Sequence, residues 1–298
     1  PTMWQGRRVP ANTAELLALL DLTRFGEMSF VAPHPRTRMQ RTYGGQVLAQ
    51  ALTAAYQTVP HDRVAHSLHA YFLRPGAADD DMRFNVQAMR DGNTFTTRRV
   101  EAFQEEREIF IGSASFHGLE PGLNHADPMP ADVPVPDECP RLVDVMDTRF
   151  GSHSIWHEWD ALDVRFAGDS SPGGSIKPGR HVASMRVWVR TEAALPDDLR
   201  IHQAVLAYLS DLTLLSVSTV PHPVVFMSNQ LQTASIDHAV WFHRRFRADQ
   251  WLLYDMFSPS ASSALGFSNG RLFQEGRLIA SCAQEGLIRQ VESRALLS

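Results

Sequence analysis

The residue whose type and position most clearly suggest catalysis is Asp211, which lies in an apolar stretch of the sequence. A helix drawn through residues 204–217 would be apolar on nearly every face, which is typical of a buried helix. Buried carboxylates without partners are rare, because losing hydration is costly. We interpret Asp211 as a general base or water-orienting group in an apolar cleft, where burial raises the pKa of a carboxyl. The alternative is a helix that ends near Ser210, with Asp211 capping the next turn.

Two predicted strands could supply polar partners for Asp211. In the strand predicted for residues 233–245, alternation places five residues on one face: Ser235, Asp237, Ala239, Trp241 and His243. In the last predicted strand, four residues share a face: Leu278, Ala280, Cys282 and Gln284. The small and apolar members of this second face predict that it points inward. An inward amide can both donate to and accept from a bound water.

Three other patterns suggest competing chemistry. Residues 266–270 match the G-x-S-x-G pattern around Ser268, but a nucleophile elbow needs a helix after the serine, and this sequence continues as a strand. Cys282 is expected to pack in the core as a small apolar residue. His153 and His157 have the spacing of two metal ligands on a helix, but no motif for a third ligand accompanies them. The sequence therefore predicts no metal site.

The sequence repeats itself at an offset of 170 residues. Nine positions between 72 and 109 are identical to the positions 170 residues later, where about two identities are expected by chance. The nine are Phe72, Arg74, Ala78, Asp79, Phe103, Gln104, Glu105, Arg107 and Ile109. At the same offset Ser235 corresponds to Ala65, and Gln284 corresponds to Ala114. The first copy lacks both functional groups, which predicts one working site per chain.

Each copy is predicted to contain one helix followed by a run of strands. The helices are predicted at 45–58 and 198–217, and the strands at 65–74, 82–90, 94–104 and 108–117, then at 233–245, 251–258, 262–273 and 277–290. Strands at 24–31, 163–167 and 184–191 open the two copies, and Asn269-Gly270 predicts a turn near the end of the strand at 262–273. Strands that cluster in this way indicate an α+β fold, with an antiparallel sheet curled around a helix.

Composition limits the classes of partner and compartment. A net charge of -5 and a pI near 6.2 argue against nucleic acid as a partner. Two cysteines, Cys139 and Cys282, cannot form a disulfide framework, so we expect a reducing compartment, the cytoplasm. No apolar run approaches the roughly 18 residues that span a bilayer. Residues 119–140 contain six prolines and are predicted to be a linker.

Several stretches match a known family. They are residues 43–52, beginning Tyr-Gly-Gly-Gln; 66–76, beginning His-Ser-Leu-His; 90–95; 196–200; 236–243, beginning Ile-Asp-His; and 283–286, Ala-Gln-Glu-Gly. Together they resemble the acyl-CoA thioesterase II family, the bacterial relatives of peroxisomal acyl-CoA thioesterases. The resemblance covers most of the chain and is weakest over 137–180. It implies a double hotdog, two antiparallel sheets each wrapped around a central helix. It also implies hydrolysis of fatty acyl-CoA without a metal, a cofactor or a covalent intermediate.

The resemblance also implies roles for particular residues. Carried over by motif, the catalytic set is Asp211, Ser235 and Gln284, with serine where bacterial members commonly have threonine. Substrate-binding residues are expected at the start of the first helix and on a nearby strand: Gly44, Gly45, Gln46 and His69. The Gly44-Gly45 turn could offer backbone N–H groups to the oxyanion.

The expected organisation is an N-terminal hotdog domain at 1–118, a linker at 119–160 and a catalytic hotdog domain at 161–298. A homo-oligomer is expected by analogy with the family. Two alternative functions remain open: a non-catalytic acyl-CoA binder and a hotdog hydratase acting on enoyl-CoA. A hydratase would require a Gly-Asp-x-Asn-Pro-type motif, which the sequence lacks.

Overall fold

The computed structural model describes residues 10–35, 37, 39–150, 155–177, 179 and 181–291. Its α-helices are α1 (Thr13–Leu19), α2 (Gly44–Tyr56), α3 (Leu142–Phe150) and α4 (Leu199–Ser210). Short 3-10 helices occupy Pro136–Glu138, Ile155–Trp159 and Leu215–Thr219. The first-copy strands are β1 (Thr23–Gly26), β2 (Ser29–Ala32), β3 (Val64–Phe72), β4 (Met82–Asp91), β5 (Phe95–Gln104) and β6 (Arg107–His117). The second-copy strands are β7 (Leu162–Asp169), β8 (Ala183–Thr191), β9 (Leu231–Ser235), β10 (Asp237–Phe242), β11 (Leu252–Ser262), β12 (Leu265–Gln274) and β13 (Arg277–Gln290).

The strands of both copies join in one antiparallel sheet. Its order is β1-β2-β4-β5-β6-β3-β10-β13-β12-β11-β8-β7, with β9 paired to β13. The order β2-β4-β5-β6-β3 of the first copy is mirrored by β8-β11-β12-β13-β10 in the second, and the copies meet where β3 pairs with β10. The 170-residue offset is exact at the starts of β5 and β12 and of β6 and β13. The predicted α+β double hotdog is confirmed.

The two long helices lie side by side within this sheet and run antiparallel. The Tyr43 hydroxyl, at the start of α2, donates to the Tyr208 carbonyl near the end of α4. At the other end, Arg200 in the first turn of α4 donates to the Tyr56 carbonyl at the end of α2. Residues on all sides of both helices are buried, as expected for helices enclosed by a sheet. Each helix therefore presents its C-terminus to the N-terminus of the other.

The helix of the second copy, α4, is shorter than predicted, and the alternative interpretation, a helix that ends near Ser210, is the correct one. α4 ends at Ser210, Asp211 is its C-cap residue, and a turn leads into the 3-10 helix Leu215–Thr219. Hydroxyls in this segment bond to carbonyls three residues earlier, as the Ser216 hydroxyl does to Thr213 at 2.6 Å. Serine and threonine side chains offer the backbone such alternatives to the α-helical pattern. The turn directs Asp211 toward the sheet.

The predicted turn at Asn269-Gly270 is wrong, because both residues pair with β13 in the middle of β12. A Cβ at Gly270 would lie 2.3 Å from the ring of Tyr254, so this glycine allows a close approach of that ring. The chain turns instead at Glu275 and Gly276, which have φ angles of 50° and 78°. Glu105 has a φ of 52° at the corresponding turn of the first copy.

The proline-rich segment crosses the outer face of the second half of the sheet. Residues 118–135 form no helix or strand. Trp188 of β8 donates to the Pro134 carbonyl at 2.9 Å, and Arg186 and Arg271 pair with Asp132 and Asp127. At the other end of the chain, Thr13 of α1 bonds to Ala193, so the N-terminal residues also contact the second copy. The longest helix in the described ranges has 13 residues, and none there could cross a bilayer.

Candidate active site

Asp211 lies where the end of α4 meets the start of α2, and three donors surround its carboxylate. The Ser235 hydroxyl donates to Oδ1 at 3.2 Å, the Gln284 side-chain amide donates to the same oxygen, and the Gly45 N–H donates to the carboxylate. The Gln284 amide is also 3.0 Å from the Ser235 hydroxyl. The Asp211 side chain is only 5% exposed. The structure thus brings together the three residues that the sequence predicts as a set.

The environment of Asp211 favours its protonated form more than water does. Burial raises its pKa to about 6, although the hydrogen bonds from Gln284, Ser235 and Gly45 act in the opposite direction. Its position at the C-terminus of α4 also disfavours negative charge, whereas the N-terminus of α2 favours it. A carboxyl with this pKa is ionised at neutral pH and can still accept a proton, which suits a general base.

Ser235 reaches Asp211 because the strand that carries it is interrupted. Ile236 separates β9 from β10. Two bonds cross the interruption: the Ile236 N–H donates to the Glu285 carbonyl, and the Glu285 N–H donates to the Asp237 carboxylate at 2.7 Å. The interruption shifts the alternation by one residue, so Ser235 and His238 both face inward. The predicted face of Ser235, Asp237, Ala239, Trp241 and His243 is therefore wrong beyond Ser235. In β13 the inward direction of Ala280, Cys282 and Gln284 is confirmed, whereas Leu278 lies beyond a register shift and is only half-buried.

A cleft of about 370 Å³ opens onto Asp211. Both copies line it, with Gly44 and Phe72 from the first and Ser235 from the second. Its walls are largely apolar, and the described charged residues that line it are Asp211, Arg41 and Arg74. A larger cavity of about 730 Å³ lies at the opposite ends of the helices, but its acidic residues, Asp21 and Asp198, are exposed. The smaller cleft has the buried carboxylate and is the candidate active site.

The predicted substrate-binding residues fall in different places. Gly44 lines the cleft, and a Cβ there would lie 2.7 Å from Asp211 Oδ2. The Gly45 N–H donates to the Asp211 carboxylate, and Gly45 is not among the residues that line the cleft, so its role as an oxyanion donor stays a prediction. Gln46 is buried with its amide 3.4 Å from Gln50, outside the cleft. His69 is exposed on the outer face of the sheet, edge-on to Trp241, and also lies outside the cleft.

His238 is the residue near Asp211 that the sequence interpretation missed. It is fully buried, its Nε2 is 2.9 Å from the Ser210 hydroxyl, and its Nδ1 is 3.8 Å from Asp211 Oδ1. Burial lowers its pKa to about 3, so it is neutral at physiological pH. Simple alternation from Ser235 placed it on the opposite face. The available signal was its place in the Ile-Asp-His stretch, beside the serine.

The competing patterns are not assembled as sites in the described residues. Ser268 is fully buried in the middle of β12 opposite Gln284, with no helix after it. Burial raises the pKa of the Cys282 thiol to about 12, which makes it a poor nucleophile at neutral pH. His157 bonds to Asp147, and His153 lies outside the described residues. No cluster of three or more potential metal-ligating side chains occurs among the residues that the structure describes.

Comparison with known proteins places this arrangement in a family. A family profile described as acyl-CoA thioesterase matches residues 160–287, and one described as the acyl-CoA thioesterase N-terminal domain matches residues 32–117. The chain is 33% identical over 287 residues to acyl-CoA thioesterase 2 of Haemophilus influenzae, covering 92% of this chain and 96% of that protein. The chain belongs to the acyl-CoA thioesterase family. Membership makes it an acyl-CoA thioester hydrolase.

Further relatives of this thioesterase come from distant organisms. Human acyl-coenzyme A thioesterase 8 is 35% identical over 287 residues, which cover 91% of this chain and 88% of that protein. The crystal structure of an acyl-CoA thioesterase II, TesB2, from Mycobacterium marinum superposes with a TM-score of 0.79 at 38% identity, covering 92% of this chain and 98% of that one. The similarity therefore extends over both copies of the repeat.

Proposed function

We propose that this thioesterase hydrolyses fatty acyl-CoA by direct attack of a water that Asp211 deprotonates and that Ser235 and Gln284 help to position. The observation that carries the proposal is the convergence of the Ser235 hydroxyl and the Gln284 amide on Oδ1 of Asp211, a residue that lines an apolar cleft. The described residues offer no competing nucleophile in this cleft with a lowered pKa. A thioester carbonyl is electrophilic enough for an oriented water to attack it.

The free acceptor of Gln284 supports a water at this position. Its Nε2 donates to Asp211 and Ser235, whereas its Oε1 is buried and has no hydrogen-bond partner among the described residues. A water between the two groups can donate one proton to Asp211 and the other to Gln284 Oε1. Asp211 takes the first proton, the hydroxide attacks the thioester carbon, and the C–S bond breaks with the proton passing to the thiolate. Gly44 keeps the space beside Asp211 Oδ2 clear for the reactants.

The corresponding positions of the first copy hold other side chains, of which Tyr56 and Arg200 line the larger cavity at that end of the helices. Ala65 stands at the position of Ser235, and its N–H donates to the Tyr56 hydroxyl at 2.7 Å. The Arg200 guanidinium bonds to the carbonyls of Tyr56 and Arg63 in the same region. One working site per chain follows as part of the proposal. The domain boundaries after residues 118 and 160, the cytoplasmic location and the homo-oligomer stay predictions.

Isotope labelling tests direct attack by water. A single turnover with excess enzyme in H₂¹⁸O should give fatty acid that carries one ¹⁸O atom, because the attacking water supplies the new oxygen. If Asp211 attacked the carbonyl, part of the first-turnover product would carry an unlabelled oxygen from the carboxylate. Mass spectrometry of the fatty acid distinguishes the two, and unlabelled product in the first turnover would exclude direct attack.

The two arginines that line the cleft are proposed to bind the phosphates of CoA. Arg41 is exposed. Among the described residues, neither Arg41 nor Arg74 has a carboxylate within 4.0 Å, and Arg74 donates only to the Glu108 carbonyl. Guanidinium groups without a carboxylate partner can donate hydrogen bonds to phosphate oxygens. The substrate would then lie with its acyl thioester at Asp211 and its nucleotide at the rim.

Replacing both arginines should weaken CoA recognition without affecting chemistry. We expect the double variant Arg41→Gln and Arg74→Gln to raise KM for acyl-CoA about 10-fold to 100-fold, since each charge-assisted contact is worth about 1.5–3 kcal/mol before solvent screening. The same acyl group on N-acetylcysteamine, which has no phosphates, should react at an unchanged rate. Arg107→Gln, an exposed arginine outside the cleft, is the control. Equal losses with both substrates would contradict the assignment.

A further inference from the structure

All four carbonyls at the end of α4 have hydrogen-bond donors, and one of these donors, the Ser210 hydroxyl, also contacts His238. The last four carbonyls of a helix have no partner within the helix and must find one elsewhere. The Ser210 hydroxyl donates to the Ala207 carbonyl at 3.0 Å, and the Tyr43 hydroxyl donates to the Tyr208 carbonyl at 2.8 Å. The Leu212 N–H donates to the Leu209 carbonyl at 3.2 Å, and the Tyr254 hydroxyl donates to the Ser210 carbonyl at 2.8 Å. The single proton of the Ser210 hydroxyl is therefore used on Ala207.

With the Ser210 proton assigned to Ala207, His238 is the donor in its contact with Ser210. The Ser210 oxygen is 2.9 Å from His238 Nε2, and with its proton directed at Ala207 it can only accept. His238 therefore carries its proton on Nε2 and a lone pair on Nδ1. Nδ1 is buried, has no hydrogen-bond partner among the described residues and lies 3.8 Å from Asp211 Oδ1. A lone pair faces the carboxylate with no donor between them.

We propose that His238 is a positioning residue that raises the proton affinity of Asp211 by holding this lone pair against its carboxylate. The inference rests on the proposed role of Asp211 as general base and extends it. Repulsion between the lone pair and the carboxylate is largest when Asp211 is ionised and is relieved when Asp211 takes the proton from water. The arrangement thus favours the protonated product of the catalytic step over the starting carboxylate.

The other groups that face Asp211 do not titrate in the acid range. Tyr43 at the start of α2 and Tyr254 on β11 have pKa values raised far above neutral by burial, and burial likewise raises that of Cys282 on β13. The cleft is also lined by Arg41 and Arg74. Of Asp211 and the described groups that face it, Asp211 is therefore the one that titrates between about pH 4 and 7, with His238 neutral above about pH 3.

The test compares pH profiles of variants at His238 and Ser210. For the wild type we expect kcat/KM to fall below about pH 6, since Asp211 must be ionised to act as a base. His238→Leu removes the lone pair, so the acid limb should move down by about one pH unit and the maximal kcat should fall about tenfold. His238→Asn places an amide oxygen near the position of Nδ1 and should restore both. Ser210→Ala frees His238 to carry its proton on Nδ1 and should move the limb in the same direction as His238→Leu.

Two further measurements keep the proposal testable if His238→Leu fails to fold. In protein labelled with ¹⁵N-histidine, the His238 resonances should report a bare Nδ1 and a protonated Nε2 from pH 4 to 8. His243→Leu, on the outside of the fold after β10, should leave the pH profile unchanged. A protonated Nδ1 in the wild type, or variants that lose activity with an unmoved acid limb, would overturn the proposal. Failure of the general-base assignment itself would appear separately, as full turnover in Asp211→Asn.

Discussion

Asp211→Asn should lower kcat by about 10³-fold while leaving affinity for acyl-CoA within about twofold of the wild type. Asparagine has nearly the shape of aspartate but cannot accept the proton of the attacking water, and general-base catalysis is worth about 10²–10⁴ in rate. The loss should be confined to the chemical step, because the apolar walls and the arginines at the rim are unaffected. Thiol release from acyl-CoA measures kcat, and calorimetric titration with a non-hydrolysable thioether analogue measures affinity.

An exposed aspartate outside the cleft provides the matched control. Asp62→Asn removes one carboxylate from an exposed position and should change neither rate nor affinity. If Asp211→Asn retained the turnover of the wild type, Asp211 could not be the base. If the variant lost analogue binding to the same extent as turnover, its role would be in substrate binding.

The same substitution should change stability in a direction set by the pKa of Asp211. The folded-state pKa, about 6, lies above the value of 3.8 expected for the unfolded chain. Ionisation therefore lowers the free energy of unfolding as the pH rises from 3.8 to 6, by about 3 kcal/mol in total. Asparagine removes this cost, so the stability of the variant relative to the wild type should be greater at pH 8 than at pH 4. This gain would accompany the loss of activity.

Much of the fold was predictable because the repeat is preserved in the sequence. Strands β5 and β6 and their counterparts β12 and β13 were predicted to within one residue at most ends, although β12 begins later than predicted. Period-two alternation needs only local side-chain patterns, and it also indicated the inward direction of Gln284. The Asp211 prediction depended on a different local signal, a carboxylate in an apolar segment. Ser235 was singled out by the family resemblance, because alternation gave only a face of five residues that contained it.

The features that were missed depend on contacts between distant segments. The interruption at Ile236 is stabilised by bonds to Glu285, and no local pattern shows that Ser235 and His238 will face the same way. Gly270 belongs to an Asn-Gly pair that is typical of turns, but it lies within a strand and leaves room for the ring of Tyr254 on the neighbouring strand. The roles of Gly45 and Gln46 could not be separated from sequence, because their difference arises from the docking of α2 against α4.

Gly45→Ala should cause the largest loss of stability among single substitutions at the site. A Cβ at this position would lie 2.2 Å from the Tyr208 carbonyl oxygen and 2.6 Å from the ring of Tyr43. The first contact is with the backbone of α4, so the two helices would have to separate. Overpacking and the loss of buried hydrogen bonds together should cost about 3 kcal/mol or more. The Gly45 N–H would also be withdrawn from the Asp211 carboxylate, so the folded fraction should have little activity.

Two other glycines distinguish helix docking from a general intolerance of alanine. Gly44→Ala would bring a Cβ within 2.7 Å of Asp211 Oδ2 and 3.0 Å of Phe72, both side-chain atoms that can move, so it should fold and lose turnover. A Cβ added at Gly122 would have no other atom within 4 Å, so Gly122→Ala should be neutral. Thermal unfolding should show a drop of about 6–12 °C for Gly45→Ala. A Gly45→Ala protein as stable and active as Gly122→Ala would show that the close approach of α2 and α4 does not hold Asp211 in place.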